Sequence, residues 1–197
     1  MDDIVRQAMA KWPNVPHCYG WLGLDARGNW FMRDDRSQAV GSFPTLLVPG
    51  QAAARGSQLR HDKLIAFIER NYGCDDAGQW YFQNGPQRVY LELEAAPWVW
   101  RLTPDSNGGA HDACTVHSHT GLAAQVRACL IDEAGHVYLD TDLGVGLVHT
   151  QDVALAAGQV DAGRWTPQDV RAADLPGRYR YVLSPQAHRQ AAENASK

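Results

Sequence analysis

Three times in this chain an aspartate is followed, three positions on, by a glycine, and then by a run that opens on aromatic or β-branched residues. The copies are Asp25-Ala-Arg-Gly28-Asn-Trp30-Phe31, Asp75-Asp-Ala-Gly78-Gln-Trp80-Tyr81 and Asp132-Glu-Ala-Gly135-His-Val137-Tyr138. An aspartate at the start of a short loop accepts backbone N–H bonds, and a glycine at its end enters the left-handed region without steric cost. Each copy therefore predicts a hairpin with positive φ at Gly28, Gly78 and Gly135. Calcium also binds Asp/Gly loops, but it needs acidic oxygens at several alternating positions, and each loop here offers one or two carboxylates. The irregular spacing of the copies excludes a solenoid or propeller.

The densest strand signal runs from Asn71 to Leu102. Gln79 to Gln83 alternates, with Trp80 and Phe82 on one face. Asn84-Gly85 follows, the dipeptide best suited to a two-residue hairpin turn. Gln87 to Glu94 places Val89, Leu91 and Leu93 on one face and Arg88, Tyr90, Glu92 and Glu94 on the other, the pattern of a sheet with one wet side. Ala95-Ala96-Pro97 turns the chain again, and Trp98, Trp100 and Leu102 share a face of a third strand. The expectation is an antiparallel β-meander.

Helical spacing predicts a first helix capped by Asp2 or Asp3, with Ile4, Val5, Ala8, Met9 and Trp12 on its stripe. A second is capped by Ser57, with Leu64, Ile65 and Ile68 inward and Gly73 at its end, and it covers the apolar side of the meander. Asp34 to Ser42 reads as a polar loop, and Thr166-Pro167 as the cap and first residue of a helix. Arg178 to Leu183 reads as a last strand. The fold class is α+β, with antiparallel meanders and hairpins, helices packed on one face, and two halves of similar style. The division expected is an N-terminal half over 1–104, a linker or long loop over 105–112, and a C-terminal half over 113–197.

A chain of 197 residues, 45% hydrophobic and 20% charged, is long enough and apolar enough for a full core. A net charge of −4 argues against a nucleic-acid partner. No apolar run reaches bilayer-spanning length, so no membrane partner is expected. The opening Met-Asp-Asp-Ile-Val lacks the features of a secretory signal, which predicts a cytoplasmic protein. Cys18, Cys74, Cys114 and Cys129 form no paired motif and read as buried thiols.

Phosphate loops, nucleophile elbows, zinc-protease helices and dinucleotide fingerprints are all missing, which leaves the cofactor unknown. One cluster is a candidate for metal chemistry, against the simpler and favoured reading of a polar strand edge after a loop: His111-Asp-Ala-Cys114-Thr-Val-His117-Ser-His119. In an extended segment His117 and His119 project from one face, with His136 the preferred third ligand and Asp140 or His149 as alternatives. Cys114 beside these histidines is a candidate nucleophile with no supporting motif. Trp98, Trp100, Tyr90 and Arg88 form a candidate ligand or interface surface, against the simpler reading of aromatics as core.

The run Gln83-Asn-Gly-Pro-Gln-Arg-Val-Tyr90 and the later Trp165-Thr-Pro resemble a family of uncharacterised proteobacterial proteins. The resemblance covers most of the chain and implies a bacterial protein without an assigned activity or catalytic residues. The functional expectation is a non-enzymatic binding or interaction module for a small molecule or protein, self-associating as a homo-oligomer through an aromatic or edge-strand surface. The alternative is a metal-dependent, hydrolase-like enzyme centred on His117 and His119.

Overall fold

A computed structural model describes residues 1–46, 53–104 and 113–195. In chain order its helices are α1 (Asp3–Lys11), α2 (Asp35–Val40), α3 (Asp62–Arg70), α4 (Val153–Asp161), α5 (Leu175–Tyr179) and α6 (Pro185–Ala195). The strands are β1 (Cys18–Leu24), β2 (Trp30–Met32), β3 (Ser57–Gln58), β4 (Tyr72–Cys74), β5 (Trp80–Asn84), β6 (Gln87–Leu93) and β7 (Trp98–Pro104). They continue as β8 (Cys114–Ser118), β9 (Ala123–Ala124), β10 (Val126–Ile131), β11 (Val137–Thr141), β12 (Gly144–Val148) and β13 (Pro167–Asp169). The class is α+β.

All three Asp/Gly loops close as their residues dictate. Gly28, Gly78 and Gly135 have φ of 81°, 78° and 81°. Asp25 accepts from the Asn29 amide at 2.8 Å, Asp75 from Gln79 at 2.9 Å and Asp132 from His136 at 2.8 Å. The residue after each glycine also turns its side chain back to the aspartate's second oxygen: Asn29 at 3.0 Å, Gln79 at 3.4 Å and His136 at 2.9 Å. One loop design is used three times, with a different side-chain donor each time.

Contacts divide the chain into two compact units. The first holds Met1–Asp25, Asn29–Ala95 and the C-terminal segment from Arg180; the second holds Ala26–Gly28 and Ala96–Tyr179. The expected linker at 105–112 lies outside the described residues.

In the first unit β1-β2-β3 is one antiparallel meander and β4-β5-β6 is another, and β1 pairs with β6 in parallel. The sheet order is β3-β2-β1-β6-β5-β4. The second unit repeats this path. There β7-β8-β9 and β10-β11-β12 are the antiparallel meanders, β12 pairs with β7 in parallel, and β13 adds a parallel edge to β10. The two halves therefore share one strand topology.

Several local expectations are corrected. The strand at Trp98 does not continue the meander of β5 and β6; it opens the second sheet, and the third antiparallel member of the first is β4. Asp34 to Ser42 contains helix α2, whose cap Asp34 accepts from the Ser37 amide at 2.8 Å. Helix α3 begins after His61, not Ser57, with the Leu64 amide donating to the His61 ring at 3.2 Å. Pro167 starts strand β13 instead of a helix. Arg178 to Leu183 is not a strand: α5 runs to Tyr179, Arg180 takes φ 52°, and the chain then makes two isolated ladder bonds, Val182 N to Gly78 O at 3.0 Å and Leu93 N to Leu183 O at 2.8 Å.

The largest correction concerns the face of β6 that alternation marks as wet. Tyr90, Glu92 and Glu94 are all buried. Helix α6 lies over them: its Gln186 amide donates to Glu92 at 3.2 Å, and Arg55 pairs with Glu94. Burial pushes the Glu92 carboxyl above its ordinary range, against the opposing pull of Ser184, the Gln186 amide and Arg33. The opposite face of β6 is the apolar one expected, with Leu91 and Leu93 buried.

Candidate functional site

Helix α3 presents Leu64 and Ile68, one turn apart, to the apolar face of the first sheet. Its Phe67 meets Phe82 edge-on at 5.4 Å. The packing is not closed along the whole helix. A groove of about 270 Å³ remains, lined by Leu64 and Ile68 above, by Leu22, Phe82 and Val89 below, and by Trp21, Met32, Leu59, Cys18 and Asn84 around its margin. Trp21 and Leu22 are neighbours in one strand, and regular alternation would send them to opposite faces. The strand is irregular here: the four-residue step from Cys18 to Leu22 in β1 faces the two-residue step from Val89 to Leu91 in β6, and Gly20 has φ 77°. Such a bulge re-aims side chains. Trp21 and Met32 stand exposed at the rim, while Leu22 and Phe82 in the floor and Ile68 above them are buried.

The second unit carries a cleft of about 540 Å³ beside the β10–β13 edge, lined by Ile131, Asp132, Glu133, Asp169, Val170, Arg171, Asp174 and Arg178. Its charges are largely engaged with their own surroundings. Asp132 holds its turn, Glu133 accepts from the Ala172 amide at 2.9 Å, and Arg171 pairs with Asp174 at 3.4 Å. The cleft is thus a mixed-charge surface that its own loops organise.

The sequence-predicted metal residues do not gather. His117 lies in β8 opposite Arg101 and Ala123. Strand β8 ends at Ser118, so His119 leaves the alternation; its ring sits 5.8 Å from Trp98, and its Nδ1 accepts from the Val99 amide at 3.3 Å. Burial pushes the His119 imidazole down to about 3, which keeps it neutral. His136 is held by Asp132 at the entrance to β11, and β12 and β7 stand between β11 and β8, a separation of roughly 14 Å at sheet spacing. Asp140 lies in β11, and His149 caps the 3-10 turn before α4 by accepting from Gln151 N. Among the described residues no three His, Cys, Asp or Glu side chains are placed to hold a metal ion. Burial pushes the Cys114 thiol up although Arg164 opposes it, so the thiol form prevails and the nucleophile is weak.

The four residues of the expected ligand surface separate into two places. Trp98 and Trp100 are buried in the second sheet, rings 5.9 Å apart and stacked, with their indole N–H groups donating to Leu143 O at 2.9 Å and Leu139 O at 3.0 Å. Tyr90 and Arg88 lie in the first unit. Tyr90 stacks on Tyr19 at 4.6 Å and donates to Asp75 at 3.0 Å, while Arg88 covers Tyr81 at 4.4 Å. These are packing roles. The groove residues Trp21, Met32 and Leu64 were not singled out as a site, because only the bulge in β1 and the lift of α3 bring them together.

The chain belongs to a family described as "Protein of unknown function (DUF2946)", whose model matches residues 1–186. That agrees with the resemblance to an uncharacterised family. No curated protein matches the chain. Among solved structures, a DUF1285 family protein from Silicibacter pomeroyi DSS-3 is similar at 12% identity and TM-score 0.43, covering 78% of this chain and 82% of that one. A DUF1285 family protein from Shewanella baltica OS155 is similar at 14% identity and TM-score 0.43, covering 71% of this chain and 92% of that one.

Proposed function

We propose that this member of the DUF2946 family is a non-enzymatic binding module that takes an apolar group into the groove between α3 and the first sheet. The observation that supports it is the groove itself. Its floor is built of buried aliphatic and aromatic side chains, and its rim leaves Trp21 and Met32 in water. Covering such surface gains roughly 25 cal/mol for each Å² removed from water. At about 270 Å³ the groove lies just below the ~300–1,000 Å³ range of drug-sized sites, so it suits a side chain or a small apolar molecule. Asn84 on the margin supplies one polar group for orientation. The cleft of the second unit is lined mainly by charged side chains, with only Ile131 and Val170 apolar.

The test is a titration of the folded protein with an environment-sensitive apolar dye. Saturable binding at one site is expected, weakened about tenfold or more by Met32→Glu, which costs binding energy of order 1.4 kcal/mol. Leu122→Glu, an exposed apolar residue of the second unit, should leave it unchanged. Binding that neither change affects, or no saturable binding, would contradict the reading.

A further inference from the structure

The described residues include seven large hydrophobic side chains left exposed, and six of them, Met1, Ile4, Trp12, Trp21, Met32 and Val40, belong to the first unit. Two of the six, Trp21 and Met32, rim the groove. Another two, Ile4 and Trp12, project from α1 and its C-terminal end, 71% and 51% exposed. The helix is anchored at its start and along the same stripe. Val5 is buried, the Asp2 amide donates to Asn71 at 2.8 Å, and Arg70 pairs with Asp2 at 3.2 Å. Its middle packs at the β5–β6 turn, where a Cβ on Gly85 would lie 3.8 Å from the Ala8 side chain. The preceding residue of that turn, Asn84, lines the groove. An apolar projection and an apolar recess therefore flank one turn of one unit.

We infer that the groove's partner is a second copy of this chain, docked about a two-fold axis with Trp12 of each copy seated in the groove of the other. The inference rests on the groove reading above and names its occupant. A two-fold interface is self-complementary, so it requires a knob and a hole on the same surface, and α1 and the groove supply them. The area is adequate. Ile4, Trp12, Trp21 and Met32 are 71%, 51%, 43% and 49% exposed. With large side chains presenting ~150–250 Å² each, the four leave roughly 400 Å² to be covered on each copy. Counted on two copies, that is about 800 Å², close to the apolar share of a standard ~1,600 Å² interface. Tryptophan is the side chain most often found as the anchor at the centre of such contacts. The Lys11 ammonium lies 4.5 Å from the centre of the Trp12 ring, a cation–π contact on one face of the indole.

Sedimentation velocity across a wide concentration range tests this. The wild-type chain should populate a dimer. Trp12→Ala and Met32→Glu should each weaken it by about 30-fold or more, the effect of removing a hot-spot residue worth 2 kcal/mol or above. Leu122→Glu should not. Both variants alter exposed side chains, and a far-UV circular dichroism spectrum that matches wild type confirms their fold. At concentrations where the wild type is dimeric, the apolar dye should bind Trp12→Ala more tightly than wild type, because the groove has been vacated. A wild type that stays monomeric throughout overturns the inference, and so does a dimer indifferent to both substitutions. Dye binding that depends on Met32 in a monomeric wild type would leave the groove reading standing while removing the second copy as its occupant.

Discussion

Between β3 and β4 the first unit inserts helix α3; between β9 and β10 the second unit has only Gln125. The strand paths on either side of that point are the same in both units, down to the parallel pairing of first strand with last. What differs is the cover. In the second unit the glycines of β12 make room for indoles: a Cβ on Gly146 would lie 2.5 Å from Trp100 Nε1 and 2.6 Å from the Trp98 Cβ. Two tryptophans fill that space. In the first unit α3 packs on β5 beside the bulged β1, and a groove remains between them. The same sheet topology thus carries stacked indoles against the β12 glycines in one unit and an apolar groove beside α3 in the other.

If the two sheets are equivalent frameworks, matched core deletions should cost alike. Leu91→Ala in β6 and Leu147→Ala in β12, both buried, should each destabilise by about 2–5 kcal/mol in denaturant titrations. A cost below about 1 kcal/mol for either would break the comparison.

The pH dependence should separate the units by sign. In the second, His119 is depressed to about 3, so between about 3 and the ordinary imidazole value near 6.5 the unfolded chain binds more protons than the folded one. Its contribution is complete above that window and is lost as pH falls through it. In the first unit Glu92 is raised by burial, with Arg33, Ser184 and Gln186 opposing. There the folded chain binds more protons, so stability falls as pH rises from the ordinary carboxylate value through the raised one. His119→Gln should flatten the first slope and Glu92→Gln the second, each read from unfolding midpoints against pH. Slopes of the same sign from both residues would show that one environment is misassigned.

Glycine substitutions sharpen the comparison further. Gly78 and Gly135 close equivalent loops with nearly equal φ, but a Cβ on Gly78 would meet Arg180 O at 2.1 Å, whereas nothing lies within 4 Å of one on Gly135. Gly135→Ala should cost about 1 kcal/mol from backbone strain alone. Gly78→Ala should cost roughly 1–3 kcal/mol more from overpacking. Equal costs would mean that Arg180 yields freely.

The smallest stability effect should come from the rim. Met32→Glu changes an exposed side chain and should alter stability by no more than about 0.5 kcal/mol while it weakens binding.

The loops, the β5–β6 hairpin and the apolar face of β6 were legible because each is encoded within a few neighbouring residues. The destination of β7 was not. Ala95-Ala96-Pro97 redirects the chain equally well into a third meander strand or into another sheet, and the choice depends on β12 and β8, which come later. Glu92 reads as solvated because its cover, α6, starts more than ninety residues on. The histidine pair failed for a local reason: alternation holds only while a strand lasts, and β8 ends one residue before His119. The groove was hidden because it depends on a strand irregularity and on how far α3 stands from the sheet.

The account turns on where an apolar ligand goes. Amide shifts recorded while an apolar dye is titrated into isotope-labelled Trp12→Ala protein locate it directly. The prediction is saturable change at Trp21, Leu22, Met32, Leu64, Ile68 and Val89, with residues 131–178 of the second unit unmoved. Shifts concentrated around Asp132, Asp169 and Arg178, or none that saturate, would contradict it.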